Sequence, residues 1–246
     1  MRRGRLHPAA YTSAVPVPSP LLLLDTGSPL VSVAVAREGV AVALRSVEQQ
    51  RSSARLLNLV QEVLEEAGLS VRDLAGIAAL RGPGSFTGLR IGLATALGLH
   101  QALGMPATAL PTLQALAASI PEIEGTVVAA VDALRGEWSA QAFAAGPVPR
   151  PLGGMELLPG PELPRLAGGR PAAVVGFGVS RLADLPGWPA GPRLIEPGPL
   201  APAAARLAAA PGAEWNPELL VSPIYSRPPA ISLPRPRAAA SASREA

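Results

Sequence analysis

Apolar positions near the start of the chain fall into short runs of the kind that make strands. Leu21–Asp25 is an apolar run that ends in Asp25-Thr26-Gly27-Ser28. In Leu30–Arg37, Val31, Val33 and Val35 alternate with smaller residues, Glu38-Gly39 signals a turn, and Val40–Arg45 reads as a third strand. Three strands with short turns predict an antiparallel meander. A helix follows, with Ser52 or Ser53 as its cap and Gly68 as its stop. Leu56, Val60, Val63 and Ala67 form one face; Leu57, Leu59 and Leu64 widen the stripe beyond one contact surface. Two readings stay open: a well-buried helix, or one packed on its own sheet with one side and on a partner with the other.

Ser70–Leu74 predicts a capped turn and Ile77–Leu80 a strand. The glycine-rich loop Gly82–Thr87 leads into a second helix over Gly88–Leu103, stopped by Gly104 with Pro106 beyond. This helix is apolar almost all round, with Arg90 and Thr95 among its few polar members. Gly88, Gly92 and Ala96 are four apart, as are Ala94, Gly98 and Ala102, a spacing that predicts close internal packing. Further on, Thr112–Ser119 predicts a helix. Thr126–Asp132 and Glu137–Phe143 predict strands joined at Arg135-Gly136, Ala173–Gly176 a buried strand, and Pro202–Ala210 a short helix. Proline-rich connection fills 146–171. The whole reads as two α/β lobes: a disordered extension over 1–20, an N-terminal lobe over 21–105, a C-terminal lobe over 106–226 and a disordered tail over 227–246. A start further along the chain would remove the extension.

Composition narrows the chemistry. All 21 basic residues are arginine, and there is no cysteine. A phosphate loop of the Walker type, a Schiff-base lysine, a thiolate nucleophile and a Cys-based metal site are therefore excluded. The net charge of +3 misleads, because Arg2, Arg3 and Arg5 sit at one end and Arg227, Arg235, Arg237 and Arg244, against Glu245, at the other. With both ends removed, residues 21–226 carry about −3. A mildly acidic body without an arginine stripe argues against a nucleic-acid groove. No apolar stretch reaches the ~18–20 residues of a membrane span, so a cytoplasmic protein is expected. The two histidines, His7 and His100, form no ligand pair, and no metal site is expected; His100 reads as a helix residue with a satisfied ring nitrogen.

Three places could carry chemistry. The string Arg81-Gly82-Pro83-Gly84-Ser85-Phe86-Thr87-Gly88-Leu89-Arg90-Ile91-Gly92 is a strand-to-helix loop. Gly84, Ser85 and Thr87 could cradle an anion or nucleotide at the helix start, with Arg90 one turn inside. A tight, closely packed turn explains the same residues equally well. Asp25 could hold a hydrated cation and phosphate, or cap its own hairpin. Asp132 could line a cleft, or close its hairpin by pairing with Arg135.

The string Gly82–Gly92, with Leu93-Ala94-Thr95-Ala96 and Gly98-Leu99, closely resembles the hallmark of the TsaB, or YeaZ, family. Leu23-Leu24-Asp25-Thr26, Leu56-Leu57 with Val60, Ala67-Gly68-Leu69-Ser70, Asp73-Leu74 and Pro111-Thr112-Leu113 agree, and 131–137 less tightly. The resemblance is strong over about 21–140. It implies a two-lobed actin-like ATPase fold of the ribonuclease H-like α/β class. It also implies a non-catalytic role in forming N6-threonylcarbamoyladenosine on tRNA, by binding the catalytic subunit TsaD, with TsaE joining the assembly. No cofactor of the chain's own is implied. ATP or ADP at the interface with TsaD is left open, as is a homodimer, and tRNA is met only indirectly. Ser52 stands where many members have a histidine.

In that family the first two long helices meet TsaD or a second copy. Leu56, Leu59, Val60, Val63, Leu89, Leu93 and Leu97 are thus expected at the partner interface, with Leu59 facing outward. The rival reading is a stand-alone nucleotide-binding ATPase or phosphotransferase using Asp25, Ser85 and Asp132. A metallopeptidase is disfavoured by the missing histidine pair.

Overall fold

Leu21–Leu24 is buried on both sides because its strand lies in the interior of a sheet covered by helices on each face. The structure, a computed structural model, describes residues 17–49 and 55–227. Ser52, Ser53, His7 and most of the two expected terminal segments lie outside the described residues.

β1 (Leu21–Asp25), β2 (Leu30–Arg37) and β3 (Val40–Glu48) form the antiparallel meander. Next come α1 (Leu56–Glu66), β4 (Gly76–Leu80), α2 (Phe86–Leu103) and β5 (Ala107–Leu110). β4 and β5 add parallel strands, giving the order β3-β2-β1-β4-β5. α3 (Thr112–Ala118) leads to the second sheet. Its strands are β6 (Thr126–Asp132), β7 (Glu137–Ala144), β8 (Arg150–Pro151), β9 (Glu156–Pro159), β10 (Ala173–Val175) and β11 (Arg193–Ile195). The order is β11-β10-β6-β7-β8, with β9 also on β7. α4 (Ala201–Ala208) follows, and 3-10 turns cover Gly160–Ala167, Val179–Asp184 and Pro217–Val221.

The alternation in the first sheet sorts residues between two cores. Leu22, Leu24, Val31, Val33 and Val35 face α1 and α2, together with Leu59, Val63, Leu93 and Ala96. Leu21, Leu23, Ala34 and Ala36 face the other way, into a core that holds α3, α4 and the inner face of the second sheet. The small residues of β2 matter there. α4 is itself alanine-rich, so Ala34 and Ala36 let two slim surfaces close on one another. Ser32 Oγ accepts the Ala201 amide at 3.0 Å, which satisfies one donor at the start of α4. The outer face of the second sheet packs Trp138, Val128 and Val174 against the turns at Leu163 and Leu182.

Three expectations are corrected. A boundary after residue 105 cuts through the first lobe, because β5 belongs to the first sheet. The C-terminal part also returns to that lobe: α4 packs on β1–β3, and Pro217–Val221 on β5 and α2. Sequence neighbours are not spatial neighbours, and the hydrophobic pattern cannot say which sheet an alanine-rich helix will choose. The proline-rich stretch 146–171 carries β8, β9 and the turn Gly160–Ala167, since prolines are tolerated at strand edges and turn starts. Residues 17–20 and 227 are anchored rather than loose. Pro20 O accepts the Ala75 amide at 2.8 Å, and Arg227 donates to Ala133 O at 3.0 Å.

Candidate functional site

The glycine-rich loop is shaped first by packing. Ser85 N donates to Gly27 O at 2.8 Å, which ties the loop to the β1–β2 turn. Side chains are excluded along this seam. A Cβ on Gly84 would lie 2.7 Å from Gly27 O, one on Gly88 2.0 Å from Thr26 O, and one on Gly92 2.1 Å from Thr26 Oγ1. Thr26 Oγ1 donates to Gly88 O at 2.7 Å, so the β1–β2 turn and α2 are also joined by a buried hydrogen bond. Of the two small-residue rows on α2, Gly88, Gly92 and Ala96 pack inward as expected. Ala94, Gly98 and Ala102 are exposed, and nothing lies within 4 Å of a Cβ on Gly98.

Ser85 caps α2, its Oγ accepting from Gly88 N at 3.3 Å, so the helix begins two residues earlier than the sequence suggests. Gly84, Ser85 and Thr87 line a cleft of about 650 Å³ between the lobes. The far wall is Val131–Leu134 with Phe177, and Leu116 of the shared core also lines it. The start of an 18-residue helix brings its partial positive charge to this cleft.

The two other expected contacts do not line it. Asp25 is fully buried. Its Oδ1 accepts the Gly27 and Ser28 amides at 3.2 Å each, while Oδ2 has no partner. Burial pushes its pKa up to about 6, against the opposing pull of hydrogen bonds from Ser28 and Gly27. Asp25 therefore caps its own hairpin. Arg90 turns outward: its guanidinium lies 3.9 Å from the centre of the Phe86 ring, and Nε donates to Tyr225 Oη at 3.3 Å. Asp132 does line the cleft, yet it pairs with Arg181 at 2.6 Å and not with Arg135, and its Oδ1 accepts Leu134 N at 2.8 Å. Arg135 sits in the turn between β6 and β7 in the left-handed region, φ 59°.

The expected outward direction of Leu59 is corrected. Leu56, Leu59, Val60, Val63, Leu89 and Leu93 are all buried, Leu59 at 1% exposure, and Leu97 is half-buried. All but Leu89 pack on the chain's own sheet, Leu89 lies against Gly27 and Gly82, and Leu57, 68% exposed, is the outward leucine. Helical periodicity locates a stripe, but it does not say which flank of a wide stripe faces the sheet. His100 is as expected, its Nδ1 lying 2.7 Å from Met105 O. Among the described residues no group of three or more His, Cys, Asp or Glu is placed to hold a metal ion.

Sequence reasoning missed the third side of the cleft, Tyr225–Arg227. In sequence, Tyr225 and Ser226 fall at the end of the C-terminal lobe without a role, and Arg227 at the start of the tail. The available signal is Tyr225, one of two tyrosines in the chain, just before that tail.

A family model described as "TsaD: tRNA N6-adenosine threonylcarbamoyltransferase" matches residues 46–145. The chain is 36% identical over 119 residues to the tRNA threonylcarbamoyladenosine biosynthesis protein TsaB of Escherichia coli, covering 48% of this chain and 52% of that one. The Haemophilus influenzae protein of the same name is 35% identical over 119 residues, covering 48% and 50%. The match thus spans about half the length of these curated relatives. Likeness to a solved structure extends further. YeaZ from Pseudomonas aeruginosa superposes with a TM-score of 0.69 at 30% identity, covering 83% of this chain and 98% of that one. An overlap that takes in nearly the whole of that chain at this identity shows the family, and so the chain, a two-sheet α/β protein, belongs to the TsaB (YeaZ) family.

Proposed function

We propose that this chain is the non-catalytic partner subunit in the formation of N6-threonylcarbamoyladenosine on tRNA, binding and supporting TsaD in the cytoplasm, with TsaE joining later. The observation that carries the reading is the near-complete overlap with YeaZ, together with sequence identity to TsaB proteins. The site geometry supports it. A phosphotransferase would need carboxylates directed at a metal–phosphate group in the cleft. Here Asp25 is buried under its own hairpin and Asp132 is engaged by Arg181. The seam that resembles a phosphate loop is instead filled by contacts between backbone atoms and Thr26.

The docking face we infer is the outward side of α1 and α2, which cover the same face of the first sheet. Its members are Leu57 on α1 with Ala94 and Gly98 on α2, all exposed. Small residues on α2 allow a partner helix to approach closely, and Leu57 supplies an apolar anchor. Nucleotide at that interface, and a second copy in place of TsaD, remain part of the same proposal.

The test is co-purification with TsaD from the native cytoplasm, with Leu57→Glu and Gly98→Arg as surface variants. Loss of TsaD at an unchanged melting temperature supports the face; normal capture by both variants overturns it. Unchanged levels of the modified nucleoside after depletion of the chain would overturn the functional reading itself.

A further inference from the structure

The segment Ser222–Arg227 joins the two lobes a second time, away from the core they share. On the first lobe it is held at several points. Ile224 N donates to Arg81 O at 2.7 Å, and Arg81 Nη1 donates back to Ser222 O at 3.0 Å. Gly82 leaves room for it: a Cβ there would lie 2.1 Å from Ile224 O, and its φ of +107° suits glycine alone. The Tyr225 ring packs on Phe86 at 5.1 Å between centroids. On the second lobe, among the described residues, the hydrogen bond and ion pair that hold it come from a single side chain. Arg227 donates to the buried Ala133 O at 3.0 Å and pairs with the Glu137 carboxylate, and the Arg227 and Glu137 side chains are both more than a third exposed.

We infer that this segment is a latch, fixed permanently to the first lobe and releasable from the second, that sets how far the inter-lobe cleft opens. The asymmetry carries the inference. A backbone hydrogen bond, a bond from the Arg81 side chain to Ser222 O, an aromatic contact and a glycine-only approach hold one end. A solvent-accessible ion pair and one carbonyl bond hold the other, and such pairs contribute little and weaken with salt. Tyr225, Ser226 and Arg227 also line the cleft, so release of Arg227 removes one of its sides. The shared core around Leu113, Leu116 and Ala204 stays intact in the released state and acts as the hinge. None of this depends on the identity of the partner.

The chain has no cysteine, so spin labels can be placed cleanly at exposed Arg72 in the first lobe and Glu162 in the second. Distances between them are then read in the full-length protein. A single narrow distribution is expected at low ionic strength. Arg227→Ala should shift it to longer distances, and so should high salt on the labelled parent, which covers the event that the variant folds poorly. Arg45→Ala removes two ion pairs confined to the first lobe, with Glu62 and Glu66, and should change nothing. If Arg227→Ala and high salt both leave the distribution superimposable on that of the parent at low salt, the shared core alone fixes the lobes and there is no latch.

Discussion

Gly92 of α2 lies directly against the hydroxyl of Thr26: a Cβ at Gly92 would come within 2.1 Å of Thr26 Oγ1. That hydroxyl is already committed to Gly88 O at 2.7 Å, so it cannot swing aside without losing a buried hydrogen bond. Gly92→Ala should destabilise the protein by about 1–3 kcal/mol through overpacking. Thr26→Ala makes room for the new methyl group. The double variant should therefore cost less than the sum of the two single ones in a denaturant titration, because the sites are in contact. Additive costs would show that the seam is looser than the geometry implies.

Asp25 makes stability depend on pH. Its folded pKa of about 6 is above its ordinary value of 3.8, so the folded state holds the proton more tightly. The stabilisation is complete below about pH 4 and is lost as pH rises through about 6. The loss is on the order of 3 kcal/mol. Asn imitates the protonated acid, and its oxygen can still accept the Gly27 and Ser28 amides. Asp25→Asn should match the parent near pH 4 and exceed it at pH 8. Comparing the two proteins at each pH cancels the other carboxyl groups. A parallel pair of stability curves would rule out the raised pKa.

Leu57 and Leu59 should respond in opposite ways to the same change. Leu59 is 1% exposed and Leu57 68% exposed, two residues apart on α1. Leu59→Glu buries an unpaired carboxylate beside Val33 and Val63 and should unfold or severely destabilise the chain, by more than about 4 kcal/mol. Leu57→Glu should leave stability within about 0.5 kcal/mol. Thermal melts of the two variants decide this. They also show which of them is fit to test docking.

Ser32 connects the first sheet to α4. Its Oγ is buried and accepts Ala201 N at 3.0 Å, the first amide of the helix. Ser32→Ala leaves that amide without its partner at a cost of about 1–3 kcal/mol. The effect should appear as faster amide exchange in the first turn of α4. Unchanged protection there would mean that packing on Ala34 and Ala36 alone holds the helix.

Periodicity and turn chemistry by themselves determined much of the first lobe: the meander, both long helices, the turn at Glu38-Gly39 and the stops at Gly68 and Gly104. These are local matters, set by side-chain spacing and by backbone angles that glycine tolerates. The string Gly82–Gly92 determined the family, and with it the two-lobed fold. Only the tertiary structure decided which residues meet. Asp25 precedes the β1–β2 turn and Arg90 follows the glycine-rich loop that packs on that turn, yet one is sealed beneath a hairpin and the other stacks on Phe86. Asp132 finds Arg181 rather than Arg135, and Arg227 leaves an apparent tail to reach Glu137. Such contacts join positions far apart in the chain. They depend on how two sheets and α4 close over one core, a global packing result that no local pattern encodes.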